Sequence, residues 1–456
     1  MILLLLAALL LLVFLEYQYF GKEICAAPVL FTAPFIVMCL VAFMCANQWN
    51  FYMRWNTFFV ILGGNVTFAL GAIFAQKVKL RITGDNNRIV SESNDTAFKY
   101  LLILLLQCVC YLWKLRMVFA FARSQGVNGG LSEALAFLDY RSKFTSEATI
   151  RWPDVLELGL EISTAAGYVM ACILAAKLLQ KDGKRKNLIL VLMNFAVSVL
   201  GGLTSGSRGV AVRTMIVFLV TYLVLFYRQK EWRKKRLGVK IPVLLLACAV
   251  GIAAFIIVSR QMVGRGAVQD VWQYLAKYIG AQLYNLDYYL NEAFRQSEVF
   301  GQETFRPVVN FVCAQLKIRE WASYKLDLPF LHASGYEMGN VYTTFYAYIH
   351  DFGYIGVVIL PFLFGLISQI LYRFAKSSPT GHTVHLGLVV YGVVAYFLVF
   401  SFFSNKFGEL LVNIDMLEKT LYMFVIIFFL FHFRGKGSKV YIDKEFNHKI
   451  SIRLNN

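Results

Sequence analysis

The feature that constrains this chain most is a succession of apolar runs, each about as long as a membrane is thick. Eleven such runs are legible, at 1–15, 25–46, 57–76, 98–121, 155–179, 187–204, 209–227, 241–259, 353–372, 386–404 and 418–433. A helix needs ~20 residues to cross a ~30 Å hydrocarbon core, and most of these runs meet that length. Composition closes off the alternatives. Hydrophobic residues make up 58% and charged residues 16%, too much apolar surface for a soluble core of this size. Disorder, collagen, coiled coil and a disulfide scaffold are excluded. So is a soluble nucleic-acid-binding protein, despite a net charge of +18. Seven cysteines lie in apolar runs and only Cys313 in a long polar segment, which leaves no pair for an extramembrane disulfide and no metal-ligand spacing.

The expected fold is therefore an all-α polytopic integral membrane protein, a single domain over 1–456. No Lys or Arg precedes the first apolar run, so it reads as a span rather than a cleaved signal. Orientation follows from the basic residues between spans. Seven occur in 228–240, four in 181–187 and six from Arg434 onward, all on one side if the spans alternate. Basic loops stay cytoplasmic, so the N-terminus is expected outside and the basic tail 434–456 inside. The positive charge then faces anionic lipid, not nucleic acid.

One segment breaks the pattern. Residues 260–352 form a large extracytoplasmic loop between spans eight and nine, and loops of that length are usually functional. Apolar residues from Val268 to Phe294 recur at three and four, which predicts an amphipathic surface helix. Further helical stretches are expected over 307–322 and from Gly339 into the ninth span.

Charge within the spans is a functional signal by default, because an ionisable group at bilayer depth costs from ~2.5 kcal/mol upward. Lys114, Arg116, Lys177 and Arg213 are such residues; Lys177 is placed to snorkel at the cytoplasmic end. Glu157 and Glu161 share a face of span five, and Glu161 has Arg213 or Arg116 as candidate partners. Pairing and substrate contact are both open readings. The segment Thr204-Ser205-Gly206-Ser207-Arg208-Gly209 joins spans six and seven at the outer surface. A helix N-terminus there offers unpaired N–H groups, and Arg208 adds a fork of donors suited to phosphate oxygens. It also fits a plain Gly/Ser turn. Arg260 and Arg265, within Gly264-Arg265-Gly266, run against the outer charge bias as well. Together with Arg208 they point to an anionic partner.

The loop ends in a dense run from Gly335 to Gly353, rich in tyrosine. Its rings suit either a sugar face or an interfacial aromatic belt. Glu337, His350 and Asp351 are its titratable groups, and each can take a proton from a hydroxyl.

With SGSRG between two central spans, one large late loop, and a loop end of the form GN-x-Y-T-x-F-x-x-Y-x-x-DFG-x-x-G, the chain resembles the Wzy-type O-antigen and capsule polymerases, or oligosaccharide repeat unit polymerases. The letters lie in Ser205–Gly209 and Gly339–Gly356. The Arg-x10-Gly spacing of some relatives is absent around Arg208, Arg260 and Arg265. The resemblance implies a GT-C-like helical glycosyltransferase in the cytoplasmic membrane of a bacterium. It would transfer a growing glycan from undecaprenyl diphosphate to the next lipid-linked oligosaccharide, with no cofactor and no metal. Its partners would be that lipid-linked oligosaccharide, membrane lipid, and a flippase and chain-length regulator of the same pathway. On that reading Arg208, Arg213, Arg265, Arg260 and Arg116 hold diphosphate. Asn340, Tyr342 and Tyr346 meet the glycan, and His350, Asp351 or Glu337 supplies the base. An O-antigen ligase, a flippase or transporter, and a non-catalytic scaffold are the alternatives.

Overall fold

The computed structural model describes residues 1–78, 96–144, 150–180, 187–229, 250–251, 253–260, 270–318, 328–377 and 384–431. Within them the chain is mostly helical. Eight helices are long and apolar enough to cross a membrane. Seven precede the large loop: α1 (Ile2–Tyr19), α2 (Ala27–Trp49), α3 (Trp55–Lys77), α4 (Thr96–Ser124), α6 (Asp154–Leu178), α7 (Leu188–Gly201, prolonged to Ser205 by a 3-10 turn) and α8 (Gly209–Gln229). The eighth, α13 (Tyr354–Lys376), follows it, and the apolar helices α14 (Leu386–Val399) and α15 (Ile414–Phe431) come after. Ten of the expected spans thus have a described helix. The other, 241–259, is described at 250–251 and 253–259, where it is helical; its remaining residues lie outside the described ones, as do Arg265 and the tail 434–456.

Burial separates two kinds of apolar side chain. α6 faces inward for most of its length, from Ser163 to Lys177. By contrast Leu11, Phe14, Met44, Phe59, Leu112, Ile189 and Leu421 are each more than half exposed. In water so many large exposed side chains would be costly; against lipid tails they are solvated, while helical hydrogen bonding satisfies the backbone.

The closest helix pair is α3 with α13. An added Cβ at Gly71 would lie 1.9 Å from the Phe362 carbonyl oxygen, and one at Gly365 would lie 2.1 Å from that of Phe68. Small residues let the two backbones touch, the usual device for joining helices in a membrane. Thr67 donates across the seam to the Val357 carbonyl at 3.0 Å.

The segment expected as a loop is a folded cap. The amphipathic stretch is two helices, α9 (Val271–Ile279) and α10 (Ala281–Glu292), broken at Gly280, where the chain presses on the backbone of α2 at Ala42. α11 (Arg306–Gln315) follows, shorter than the expected 307–322. A two-stranded hairpin, β1 (Leu331–Ala333) and β2 (Tyr336–Gly339), comes next, then α12 (Thr344–Phe352). Gly353, at φ +64, breaks α12 from α13, so the expected run from Gly339 into the ninth span is strand, short helix and span. The cap is tied to the bundle by buried polar groups. Asp287 accepts from the Thr57 hydroxyl at 2.6 Å and the Arg54 N–H at 2.8 Å. Asn405 donates to the Thr304 carbonyl at 2.9 Å. A further amphipathic helix, α5 (Leu131–Phe144), packs beneath the 3-10 turn; an added Cβ at Gly206 would meet Leu135 and Asp139 at 2.7 Å.

The opposite end of the bundle is held by cations. Lys376 pairs with Glu23 at 2.5 Å, and Arg373 donates to the Ala75 and Val78 carbonyls. Arg228 donates to the Ala375 carbonyl, near the C-terminus of α13.

Candidate functional site

Two clusters of polar and aromatic side chains form at the capped end. The first is built on Tyr274 of α9. Arg208, just before α8, donates to the Tyr274 hydroxyl at 2.9 Å and to the Ile256 carbonyl at 2.6 Å. Its guanidinium also lies 5.7 Å from the Tyr278 ring centre, and Arg260 sits over the Tyr274 ring at 4.8 Å. Two arginines distant in sequence therefore share one tyrosine. Beside them opens a cavity of about 560 Å³ between the C-terminal end of α2, α9 and the hairpin, with Arg260, Tyr274, Lys277 and Glu337 in its lining. Lys277 and Glu337 form an ion pair at 2.5 Å. Hydrogen bonding and the charge of Lys277 hold the Glu337 carboxyl below the usual range, so it is ionised at neutral pH. The hairpin is fixed from below: Asn285, fully buried in α10, donates to the Met338 and Val341 carbonyls at 3.1 and 2.9 Å.

The second cluster is built on α12. The Asp351 carboxylate accepts the backbone N–H of Thr304 at 2.6 Å and of Glu303 at 3.1 Å. Burial raises its pKa despite those bonds. Its geometry is that of a latch on the loop before α11. His350 places Nδ1 3.1 Å from the Tyr289 hydroxyl and Nε2 3.4 Å from Glu303 Oε1. Because the Tyr289 hydroxyl donates its proton to the Arg295 carbonyl at 2.6 Å, it accepts from Nδ1–H. Nε2 of a neutral His350 then faces a carboxyl oxygen, a favourable contact when one proton lies between them. Burial is the largest influence on His350 and lowers its pKa. Tyr346 donates to Glu303 at 3.2 Å and stacks on His350, with ring centres 5.5 Å apart. The sequence pattern did not single out Glu303. It sits ahead of Pro307 in an irregular segment, with no spacing that relates it to His350.

The expected site residues therefore divide. Arg260 and Glu337 line the cavity, and Arg208 stands beside it, bonded to Tyr274. His350 and Asp351 gather with Glu303 at the other end of the α9–α10 pair. Tyr274 lies in the first turn of α9 and Tyr289 in the last turn of α10, fifteen residues on and beyond the break at Gly280. Tyr342 and Tyr346 are buried at 4% and 6%, packed with Tyr289, and neither lines the cavity; Asn340 is half-buried and outside the lining too. Arg213 is 8% exposed, donates to the Tyr168 hydroxyl at 3.2 Å and lies over the rings of Tyr396 and Phe397. It does not pair with Glu161, which meets Lys419 at 2.5 Å because α6 packs against α15. Arg116 is exposed on α4 and, among the described residues, forms no ion pair. Lys114 lies 5.8 Å from the Trp152 ring centre, and Lys177, buried rather than extended outward, the same distance from that of Tyr100.

Compared with known protein families, characterised proteins and solved structures, the chain matches none.

Proposed function

We propose that this chain is a membrane glycosyltransferase that polymerises surface polysaccharide. It would transfer a growing glycan from undecaprenyl diphosphate to the next lipid-linked oligosaccharide at the outer face of the cytoplasmic membrane. The observation that carries the reading is the convergence of Arg208 and Arg260 on Tyr274, beside a cavity that also holds a carboxylate. Breaking a sugar–diphosphate bond develops charge on phosphate oxygens. Preorganised guanidinium groups stabilise that charge as it forms, each charge-assisted bond being worth ~1.5–3 kcal/mol net. Glu337 is already ionised and lines the same cavity as Arg260, so it is the carboxylate best placed to orient an acceptor hydroxyl. His350 with Glu303 is a proton-holding pair away from the arginines, on the loop segment that closes against α12. A flippase and a chain-length regulator would be its working partners.

Arg208→Ala is expected to abolish long glycan while leaving the protein at its normal level. Gel sizing of surface and lipid-linked glycan reads the outcome. Retained single repeat units with no ladder support a polymerase. A normal ladder removes Arg208 from the mechanism. A ladder that stays on lipid and never reaches its final carrier, on deletion of the gene, marks a ligase instead.

A further inference from the structure

The cavity beside the arginine pair is lined by more than its charges. Trp272 lies 40% exposed at the start of α9, in the cavity lining with Cys45 of α2. Trp49 and Tyr336 add further aromatic surface, and Gln48 and Gln273 present exposed amides. The formal charges cancel: Arg260 and Lys277 stand against Asp270 and Glu337. Lys277 is held by Glu337, and the Asp270 carboxylate accepts the Gln273 N–H at 3.1 Å as the cap of α9. A ligand here meets flat rings, amide donors and acceptors, and carboxylates that already have partners. An acyl chain would leave those polar groups without hydrogen bonds. Arg260 lies at the side shared with Arg208, where the diphosphate of the reading above would take it, and a second anionic group would gain Lys277 only by displacing Glu337. An uncharged ring with one face of C–H groups and a rim of hydroxyls satisfies every part of the lining at once. The volume falls within the ~300–1,000 Å³ of small-ligand clefts.

We infer that this cavity is a binding site for uncharged pyranose units, with Trp272 as the ring platform and the Gln48 and Gln273 amides as hydroxyl partners. The inference rests on the polymerase reading for its place in the reaction, next to the diphosphate. It rests on the cavity alone for its chemistry.

The test uses the full-length protein in lipid nanodiscs and saturation-transfer NMR. The probes are disaccharides built from neutral hexoses, 6-deoxyhexoses or N-acetylhexosamines, and the matching uronic-acid disaccharides. At least one neutral probe is expected to bind saturably. Trp272→Ala should weaken it at least tenfold, and Gln273→Leu, a change at an exposed position, should weaken it severalfold. Trp55→Ala, at the exposed start of α3, should leave it unchanged. Binding by uronic-acid probes alone, no saturable binding by any probe, or equal binding by wild type and both cavity variants would overturn the assignment. Sugar binding by a chain whose deletion leaves the glycan ladder intact keeps the cavity and removes the polymerase reading. A ladder that is lost, with no probe bound, removes the cavity assignment alone.

Discussion

His350 shows how a single residue's role depends on what surrounds it. As one letter in the sequence it is a histidine with an ordinary pKa. In the fold it is flanked by Tyr289 and Tyr346 and faces Glu303, and burial lowers its pKa. A group with a depressed folded-state pKa contributes stability that is present above its unfolded value, near 6.5, and is lost as pH falls through the folded value. The purified protein is therefore expected to lose thermal stability as pH falls below about 6.5, the ordinary value for histidine. His350→Gln should flatten that part of the profile. An unchanged slope in the variant would show that the acid limb comes from other groups. The same cluster marks what could be read beforehand. His350 and Asp351 stood out as titratable residues in an aromatic run. Their partners did not: Glu303 reaches His350, and the backbone of Glu303 and Thr304 reaches Asp351, across more than forty residues of chain. Arg208 and Arg260 were legible as cations on the wrong side for the charge rule. Their shared Tyr274 was not, because only the folding of α9 onto the bundle brings it to both.

At the scale of elements, hydrophobic periodicity located the spans but not their interruptions. Both unforeseen breaks fall at glycine: Gly280, squeezed against α2, and Gly353, which adopts φ +64. The hairpin is not legible in the sequence because strands of three and four residues leave little alternation to detect. α5 was missed because only a narrow face of it is apolar, covered by Trp152 and Val118 among others. The α3–α13 seam gives a sharp test of helix packing. Gly71→Val puts side-chain atoms into the Phe362 backbone, and overpacking of this kind costs ~1–3 kcal/mol or more. Gly63→Ala, one face round on the same helix, meets nothing within 4 Å and should gain up to ~1 kcal/mol of helix propensity. Thermal unfolding midpoints should move in opposite directions. Equal midpoints would mean that the seam is not close-packed in the folded protein.

The whole molecule has two unlike ends. One carries the cap, the cavity and both polar clusters. The other carries Arg228, Arg373 and Lys376, bonded to carbonyls and to Glu23. Between them lies a belt of exposed Leu, Ile and Phe side chains. The sequence that continues from α8 carries seven Lys and Arg over 228–240, and the rule that keeps short basic loops cytoplasmic would put that end inside and the cap outside. The proposed reaction needs that orientation, since it takes place where the finished oligosaccharide has been delivered. Single cysteines report it directly. Gln296→Cys lies exposed in the cap, and Ser377→Cys lies just past the end of α13. The described native cysteines are buried or half-buried; Cys248 lies outside the described residues, so Cys248→Ser serves as the parent for both variants. A membrane-impermeant maleimide added to intact spheroplasts is expected to label position 296 and to reach 377 only after permeabilisation. The reverse pattern would place the cavity in the cytoplasm and remove the polymerase reading, because an outer-face transfer cannot use an inward-facing site. Equal labelling at both positions before permeabilisation would show that no bilayer separates the two ends, and the spans themselves would have to be redrawn.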